Sequence, residues 1–227
     1  SKESFIICNC KKCGLKFTNP RPKAEAIAPY YDFLEYFSHE DKAKNLTQFI
    51  YQKVRNYSVS KKVKHINSLK PTKGKYLDYG CGTGELLTKA KENGWKVQGI
   101  EPNEKARELA NSKLEQKVYE SLEEIQKEGS FDIITLYHVL EHVHLLRKTV
   151  KNLIKLLKSD GYILIAVPNP ESHDAIKYKE HWAGWDVPRH LYHFNHKSIE
   201  SFTDIFELQI VSEIPMPFDS YYVSLLS

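Results

Sequence analysis

Apolar residues recur along this 227-residue chain with two different periods. Over about residues 23–37 and 45–69 they return every three or four positions, which predicts two helices. The first is rich in aromatics (Tyr30, Tyr31, Phe33, Tyr36, Phe37). The second sets Phe49, Ile50, Val54, Tyr57, Ile66 and Leu69 roughly on one face before Pro71 ends it. From residue 75 onward, short apolar runs alternate with longer amphipathic stretches. Lys75–Tyr79, Lys96–Ile100, Lys117–Tyr119, Phe131–Leu136 and Tyr162–Val167 read as strands. Alternation of this kind predicts a parallel sheet wrapped by crossover helices.

The intervening helices carry their own punctuation. Asn103 is placed to cap a helix bearing Ala106, Leu109 and Ala110, and Ser121 with Glu124 forms a capping box. Gly94 is set to close the helix that follows the first strand. Leu145, Leu146, Val150, Leu153, Ile154 and Leu157 make a long apolar stripe that Gly161 is expected to close. Residues 168–195 lack a period and are dense in His, Trp, Tyr and Pro. A helix with Ile199, Phe202 and Ile205 and a last strand around Glu207–Ile214 follow. Tyr221–Ser227 looks like the start of another helix, as if the C-terminus were truncated. Three parts are expected: a cysteine-containing segment at 1–22, a helical cap at 23–72, and an α/β domain at 73–227.

Composition narrows the class. Hydrophobic residues make up 41% and charged residues 27%, enough for a packed core and against wholesale disorder. The net charge of +4 is mild and the lysines are dispersed, so no nucleic-acid partner is expected. No apolar run is long enough to span a membrane. Ser1-Lys2-Glu3-Ser4 leads into a cysteine segment and not into an apolar signal, so a cytoplasmic protein is expected. Cys8, Cys10 and Cys13 then read as metal ligands or free thiols before they read as disulfides. A closed zinc site needs four ligands, and Cys10-Lys11-Lys12-Cys13 supplies one C-x-x-C pair. Free thiols, with no metal, are the expectation.

Asp78-Tyr79-Gly80-Cys81-Gly82-Thr83-Gly84 follows the first strand and opens a helix. Glycines there allow a sharp turn and a close backbone approach to a ligand. A dinucleotide loop wants G-x-G-x-x-G. Here the spacing is G-x-G-x-G, and Glu85 stands where the third dinucleotide glycine would be. A carboxylate at that point opposes a pyrophosphate, and with Asp78 it favours a cationic amino-acid nucleoside. Glu101, at the end of the second strand, is placed to accept both hydroxyls of a ribose. The alternative is an ordinary strand-to-helix turn with a capping acid.

These residues resemble the class I S-adenosylmethionine-dependent methyltransferases, whose first motif reads D-x-G-x-G-x-G with an acid ending the next strand. The resemblance covers about residues 75–214. It implies an α/β, Rossmann-like, mostly parallel doubly wound sheet, with N-terminal helices and a substrate-covering insertion after the fifth strand. It implies S-adenosyl-L-methionine as methyl donor and S-adenosyl-L-homocysteine as product. Asp78, Gly80, Cys81, Gly82 and Gly84 would surround the methionine part, and Glu101 would hold the ribose. Pro102 and Asn103 would border the adenine, with Ser121 and Leu122 on its other side. Tyr79 departs from the aliphatic residue common at its position.

The run Phe131–Val143 is similar to the fourth-strand motif of small-molecule methyltransferases, which implies that Tyr137 and His138 face the methionine end. His138, Glu141 and His142 are candidate bases; Glu141 and His142 can equally buttress the next helix. The segment 181–194 resembles the D-x-P-R-H-L-Y-H-F element of a bacterial subgroup related to quinone and sugar methyltransferases. That implies Arg189, His190, Tyr192 and His193 near substrate. For a hydroxyl acceptor His190 is a further candidate base, and the aromatic N-terminal helices, with Tyr30 and Tyr31, are expected to roof the pocket together with 181–194. The plainer reading packs the aromatics together and pairs Arg189 with Asp186. The same subgroup carries two C-x-x-C pairs, the second followed by G-L-x-F-x-x-P-R-P as in Gly14–Pro22, which implies half of a zinc ribbon here. The function expected is methyl transfer to an O or N atom of a small molecule. RNA methylation and cofactor binding without catalysis are the alternatives.

Overall fold

The computed structural model describes residues 3–31, 46–125 and 129–227. In chain order the elements are β1 (Ile7–Asn9), β2 (Lys16–Thr18), α1 (Leu46–Leu69), β3 (Lys75–Tyr79), α2 (Glu85–Glu92), β4 (Lys96–Ile100) and α3 (Glu104–Leu114). Then come β5 (Phe131–Tyr137), α4 (Leu146–Leu156), β6 (Leu157–Ala166), α5 (His173–Tyr178), β7 (Tyr192–His193), α6 (His196–Ile205) and α7 (Pro217–Leu226). Two compact units result, one of residues 45–139 and 145–166 and the other of residues 1–44, 140–144 and 167–227.

The first unit is built on a parallel sheet of order β4-β3-β5-β6. The chain winds from β3 to β4 on one side and then places β5 on the other. The order therefore reverses between β3 and β5, the point at which open parallel sheets bind ligands beyond their carboxyl ends. Six of the seven residues of β5 are buried. A strand covered on both faces reads as a continuous apolar run, which is why Phe131–Leu136 shows no alternation. Tyr76, Leu77, Leu87, Ile133, Ile134, Leu136 and Leu153 fill the core. This is the Rossmann-like arrangement that the sequence implies.

Two sequence expectations change in this unit. Lys117–Tyr119 is not a strand but a single parallel bridge from Tyr119 to Ile100. Side chains take the ladder's place there: Asn111 accepts from the Val118 amide at 2.6 Å, and Gln98 donates to the Lys117 carbonyl at 3.1 Å. Gly161 does not close a helix. α4 stops at Leu156, and Leu157 enters extended backbone directly. Gly161 lies within β6, where the pairing with β5 jumps from Phe131↔Leu157 to Ile133↔Tyr162. Gly94, by contrast, closes α2 at φ +89 as expected, and Asn103 caps α3 through the Ala106 amide.

The second unit has a three-stranded antiparallel sheet, β1-β2-β7. Leu140, Trp182, Leu191, Phe194 and Phe202 are among its buried apolar residues, with Phe194, Phe202 and Phe206 meeting edge to face. Its α6 is the helix expected from Ile199, Phe202 and Ile205, opened by a capping box of Asn195 and Ser198. In the described part of the helix expected over 23–37, residues 23–31, the chain forms 3-10 turns at Ala24–Ala26 and Ala28–Tyr30. Pro29 has no amide to donate, which interrupts an α-helical ladder at that point. Phe33, Tyr36 and Phe37 lie outside the described residues. Glu207–Ile214 is not a strand. Glu207 has φ +55, Ile210, Val211 and Ile214 are exposed, and no neighbouring edge among the described residues pairs with the segment. Cys8 lies on β1, Cys10 and Cys13 lie in the turn leading to β2, and none of the three is in a disulfide. No described helix is long and apolar enough to cross a membrane.

Candidate functional site

The glycine loop hangs from the end of β4. The Gly80 and Cys81 amides both donate to the Ile100 carbonyl, at 2.8 and 3.0 Å. Gly80 has φ +79, and a Cβ there would lie 2.4 Å from a Val139 methyl, so the turn tolerates no side chain. Gly82 has φ +54, and a Cβ there would meet nothing within 4 Å. The space in front of its backbone is open to a ligand.

Two carboxylates belong to this region, one partly buried and one buried. Glu101 accepts from the Gly82 amide at 2.8 Å and from the Asn103 amide at 2.9 Å, one on each oxygen. Each oxygen keeps a lone pair for a further donor. Burial raises the Glu101 carboxyl above its usual range, against the pull of those amides. Asp78, 4% exposed, accepts from Thr135 Oγ1 at 2.5 Å. Thr135 has then spent its proton, so the Tyr76 hydroxyl at 2.7 Å is the donor to it. Burial pushes Asp78 up to about 6, with Thr135 and Lys62 opposing and Glu101 reinforcing the rise.

Glu85 behaves otherwise. It pairs with Arg55 and Lys113, each at 2.7 Å, and accepts from Thr83 at 2.6 Å. Burial alone would raise it, yet these partners hold it down at about 2. Its charge is thus compensated locally, which corrects the expectation that Glu85 sets the sign of the ligand. Asp78 and Glu101 carry the negative field. The Cys81 thiol faces the core and is pushed up by burial and by Asp78, so only the Cys81 backbone is available to a ligand.

Pro102, Ser121 and Leu122 come together around a cavity of about 270 Å³, with Ile100, Tyr79 and Thr149. Asn103 is absent from this lining and serves as the α3 cap. Tyr79 and Thr149 were not picked out as site residues from sequence; a strand-tip tyrosine hydrogen-bonded to a helix threonine has no local signature. Tyr137 ends β5 with Lys62 Nζ 4.7 Å from its ring centre. His138, next along, holds φ +57, a left-handed conformation few histidines adopt, and its amide donates to the Ala166 carbonyl at 2.9 Å.

In the second unit, a 3-10 turn at Leu140–His142 and the segment 184–193 bring Glu141, His142 and His190 together. One ligand atom from each lies within 4.8 Å of the others. Glu141 is 1% exposed and His190 8%. The Leu191 amide donates to the Glu141 carbonyl at 2.8 Å, which fixes the two segments side by side. His190 Nδ1 is 2.9 Å from the Gly184 carbonyl, so that nitrogen carries the proton. His190 Nε2 is 4.0 Å from Glu141 and 3.7 Å from Asp186. His142 Nδ1 is 3.0 Å from both the Arg189 carbonyl and the Tyr31 hydroxyl.

Arg189 donates through Nε and a terminal nitrogen to one Asp186 oxygen, at 2.9 and 2.6 Å. Tyr30 is not in this group; its hydroxyl donates to Glu3 at 2.8 Å. Tyr192 lies under the Arg21 guanidinium at 5.0 Å. His193, on the opposite side of β7, is enclosed between Thr18 and Trp185, where burial and Lys16 push it down to about 4.

The profile of a family described as a methyltransferase domain matches residues 51–213. A putative methyltransferase of Geobacillus sp. is 32% identical over 111 residues, covering 44% of each chain. A ubiquinone biosynthesis O-methyltransferase of Rickettsia felis is 25% identical over 148 residues, covering 61% of this chain and 59% of its own. The chain thus spans about half the length of these curated relatives. Among solved structures, a SAM-dependent methyltransferase from Archaeoglobus fulgidus superposes with a TM-score of 0.55 at 18% identity, over 80% of this chain and 91% of that one.

Proposed function

This chain belongs to the methyltransferase domain family, and we propose that it holds S-adenosylmethionine beyond β3 and β4 and passes a methyl group to an O or N atom of a small-molecule acceptor. The observation that carries this reading is a pair of carboxylates, the buried Asp78 in β3 and the partly buried Glu101, which accepts from the amide of the open Gly82. An ammonium suits Asp78, and a ribose diol suits the spare lone pairs of Glu101. Pro102, Ser121, Leu122 and Tyr79 suit a flat adenine, with Asn103 holding the start of α3. Gly80, Cys81 and Gly84 offer backbone, and Tyr137 and His138 border the methionine end.

S-adenosylmethionine supplies a methyl group on a sulfonium, so the protein's share is chiefly positioning, worth on the order of 7–11 kcal/mol. An acceptor hydroxyl must also lose a proton, for which His138, Glu141, His142 and His190 are the candidate groups. Tyr31, Arg189 and Tyr192 are the side chains assigned to acceptor contact; Tyr30 and the enclosed His193 have weaker claims. The name of the Rickettsia relative favours an oxygen acceptor. The dispersed lysines favour a small molecule over RNA, and the free thiols at Cys8, Cys10 and Cys13 suit a reducing, cytoplasmic setting. Calorimetry with S-adenosylhomocysteine, with NADH as control, tests the cofactor. Micromolar binding of the homocysteine compound alone supports the reading; binding of NADH alone, or of neither, sinks it.

A further inference from the structure

We propose that Glu141, His142 and His190 bind one divalent transition-metal ion, with zinc the best match. Two imidazoles and a carboxylate are a borderline donor set that suits zinc better than magnesium or calcium, which prefer all-oxygen cages. The three ligand atoms already lie within 4.8 Å of one another. Donors on one tetrahedral zinc are about 3.3 Å apart, so a contraction of at most about 1.5 Å closes the site.

The surroundings are those of a metal site. Metal-ligating histidines characteristically give their other ring nitrogen to a carbonyl or carboxylate, which fixes tautomer and orientation. His190 Nδ1 is held by the Gly184 carbonyl, and that turns Nε2 toward Glu141 and Asp186. The His142 ring is oriented by the Arg189 carbonyl and the Tyr31 hydroxyl. The local charge also favours a cation. Among the described residues, Glu141 and Asp186 both approach His190 Nε2, and the Arg189 guanidinium donates to Asp186. Glu141 is nearly inaccessible to water, and an anion so placed is favoured by a cation at short range.

Three protein ligands leave a coordination position open. Zinc lowers the pKa of a bound water to about 7. An acceptor hydroxyl bound there would release its proton to solvent near neutral pH. Metal binding itself stands apart from the methyl-transfer reading; this use of the metal rests on it.

The test titrates chelator-stripped full chain with zinc chloride in a calorimeter. Cys8, Cys10 and Cys13 are replaced by serine to remove the thiols of the β1–β2 hairpin, and S-adenosylhomocysteine binding is measured in parallel. One equivalent of zinc should bind, and His142→Asn and His190→Asn should each weaken it at least about tenfold. Homocysteine-compound affinity should stay unchanged in both variants. Glu141 is so buried that Glu141→Gln is read only beside His142→Asn, which alters a half-exposed side chain. In the wild type, cobalt should give visible bands of nitrogen and oxygen ligation, lost in His190→Asn. No zinc binding in the cysteine-free background, or binding indifferent to His142 and His190, overturns the proposal. Zinc binding without homocysteine-compound binding would leave the metal site standing and remove the methyltransferase reading.

Discussion

Asp78, Glu101 and His138 stand at the ends of parallel strands, where the sheet's own hydrogen-bond ladder fixes their backbone. Glu141, His142 and His190 stand on 3-10 turns and an irregular segment. Individual bonds between residues far apart in sequence hold them, such as Thr18 Oγ1 to the His190 carbonyl at 2.7 Å. A group at a strand tip inherits its place from repeating geometry and from a core that many residues share. A group on a turn depends on a few particular contacts. The difference teaches where each unit is fragile: the first through its core, the second through single polar bonds and aromatic contacts as well.

The largest expected effects test the cores. Phe194→Ala, at 1% exposure in an aromatic row, should cost about 3–5 kcal/mol, and Leu136→Ala in β5 about 2–5 kcal/mol. Urea unfolding followed by circular dichroism measures both. A loss below about 1 kcal/mol for Phe194→Ala would mean that the aromatic row contributes little.

Acid separates the units by pH window. His193 titrates near 4 when folded and near 6.5 when unfolded. The unfolded chain therefore takes up the proton first, and stability falls as pH drops from 6.5 through 4. Glu85 is depressed to about 2 from 4.5. Its contribution is complete above 4.5 and is lost as pH falls toward 2. Each is worth about 3–4 kcal/mol at roughly 1.4 kcal/mol per pH unit. Unfolding free energies across pH should lose the upper window in His193→Gln and the lower one in Glu85→Gln.

Asp78 has the opposite sign. Its folded value of about 6 lies above the ordinary 3.8, so at pH 7 the folded state bears an unfavourable ionised group that acid relieves. Asp78→Asn should stabilise the unliganded chain by about 1–3 kcal/mol while abolishing S-adenosylhomocysteine binding. Thermal melts and calorimetry read the two effects; a variant that is less stable and still binds would contradict the assignment. Helix caps give the smallest contrast. Asn195 is buried, completes a capping box and donates to Glu171 at 2.7 Å, whereas Asn103 is an exposed cap with one amide. Asn195→Ala should cost about 2 kcal/mol and Asn103→Ala about 1.

The sheet unit was largely legible because its signals are local. Buried runs, Asn103, the Ser121–Glu124 box and Gly94 each act within a few residues. The third strand misled because Asn111 and Gln98 satisfy backbone groups that a ladder would otherwise have used. Gly161 misled because glycine marks an irregular strand pairing as readily as a helix end. In the second unit the residue types at 181–194 stood out, but not their partners. Nothing periodic says that His190 meets Glu141, or that Tyr31 and not Tyr30 reaches His142. The pairing of Glu85 with Arg55 and Lys113 was hidden for the same reason: it joins three helices, and its sign at the site could not be read from the loop alone.

The hydrogen-bonded row Tyr76–Thr135–Asp78 also constrains how this sequence can drift. Thr135→Val alone would strand a buried phenol and a buried carboxylate at once, each at about 1–3 kcal/mol. Tyr76→Phe first leaves the threonine's donation to Asp78 intact, and the reverse order passes through a deep trough in fitness. The three positions should therefore change in a fixed sequence or together, and homologues with valine at 135 should already carry phenylalanine at 76.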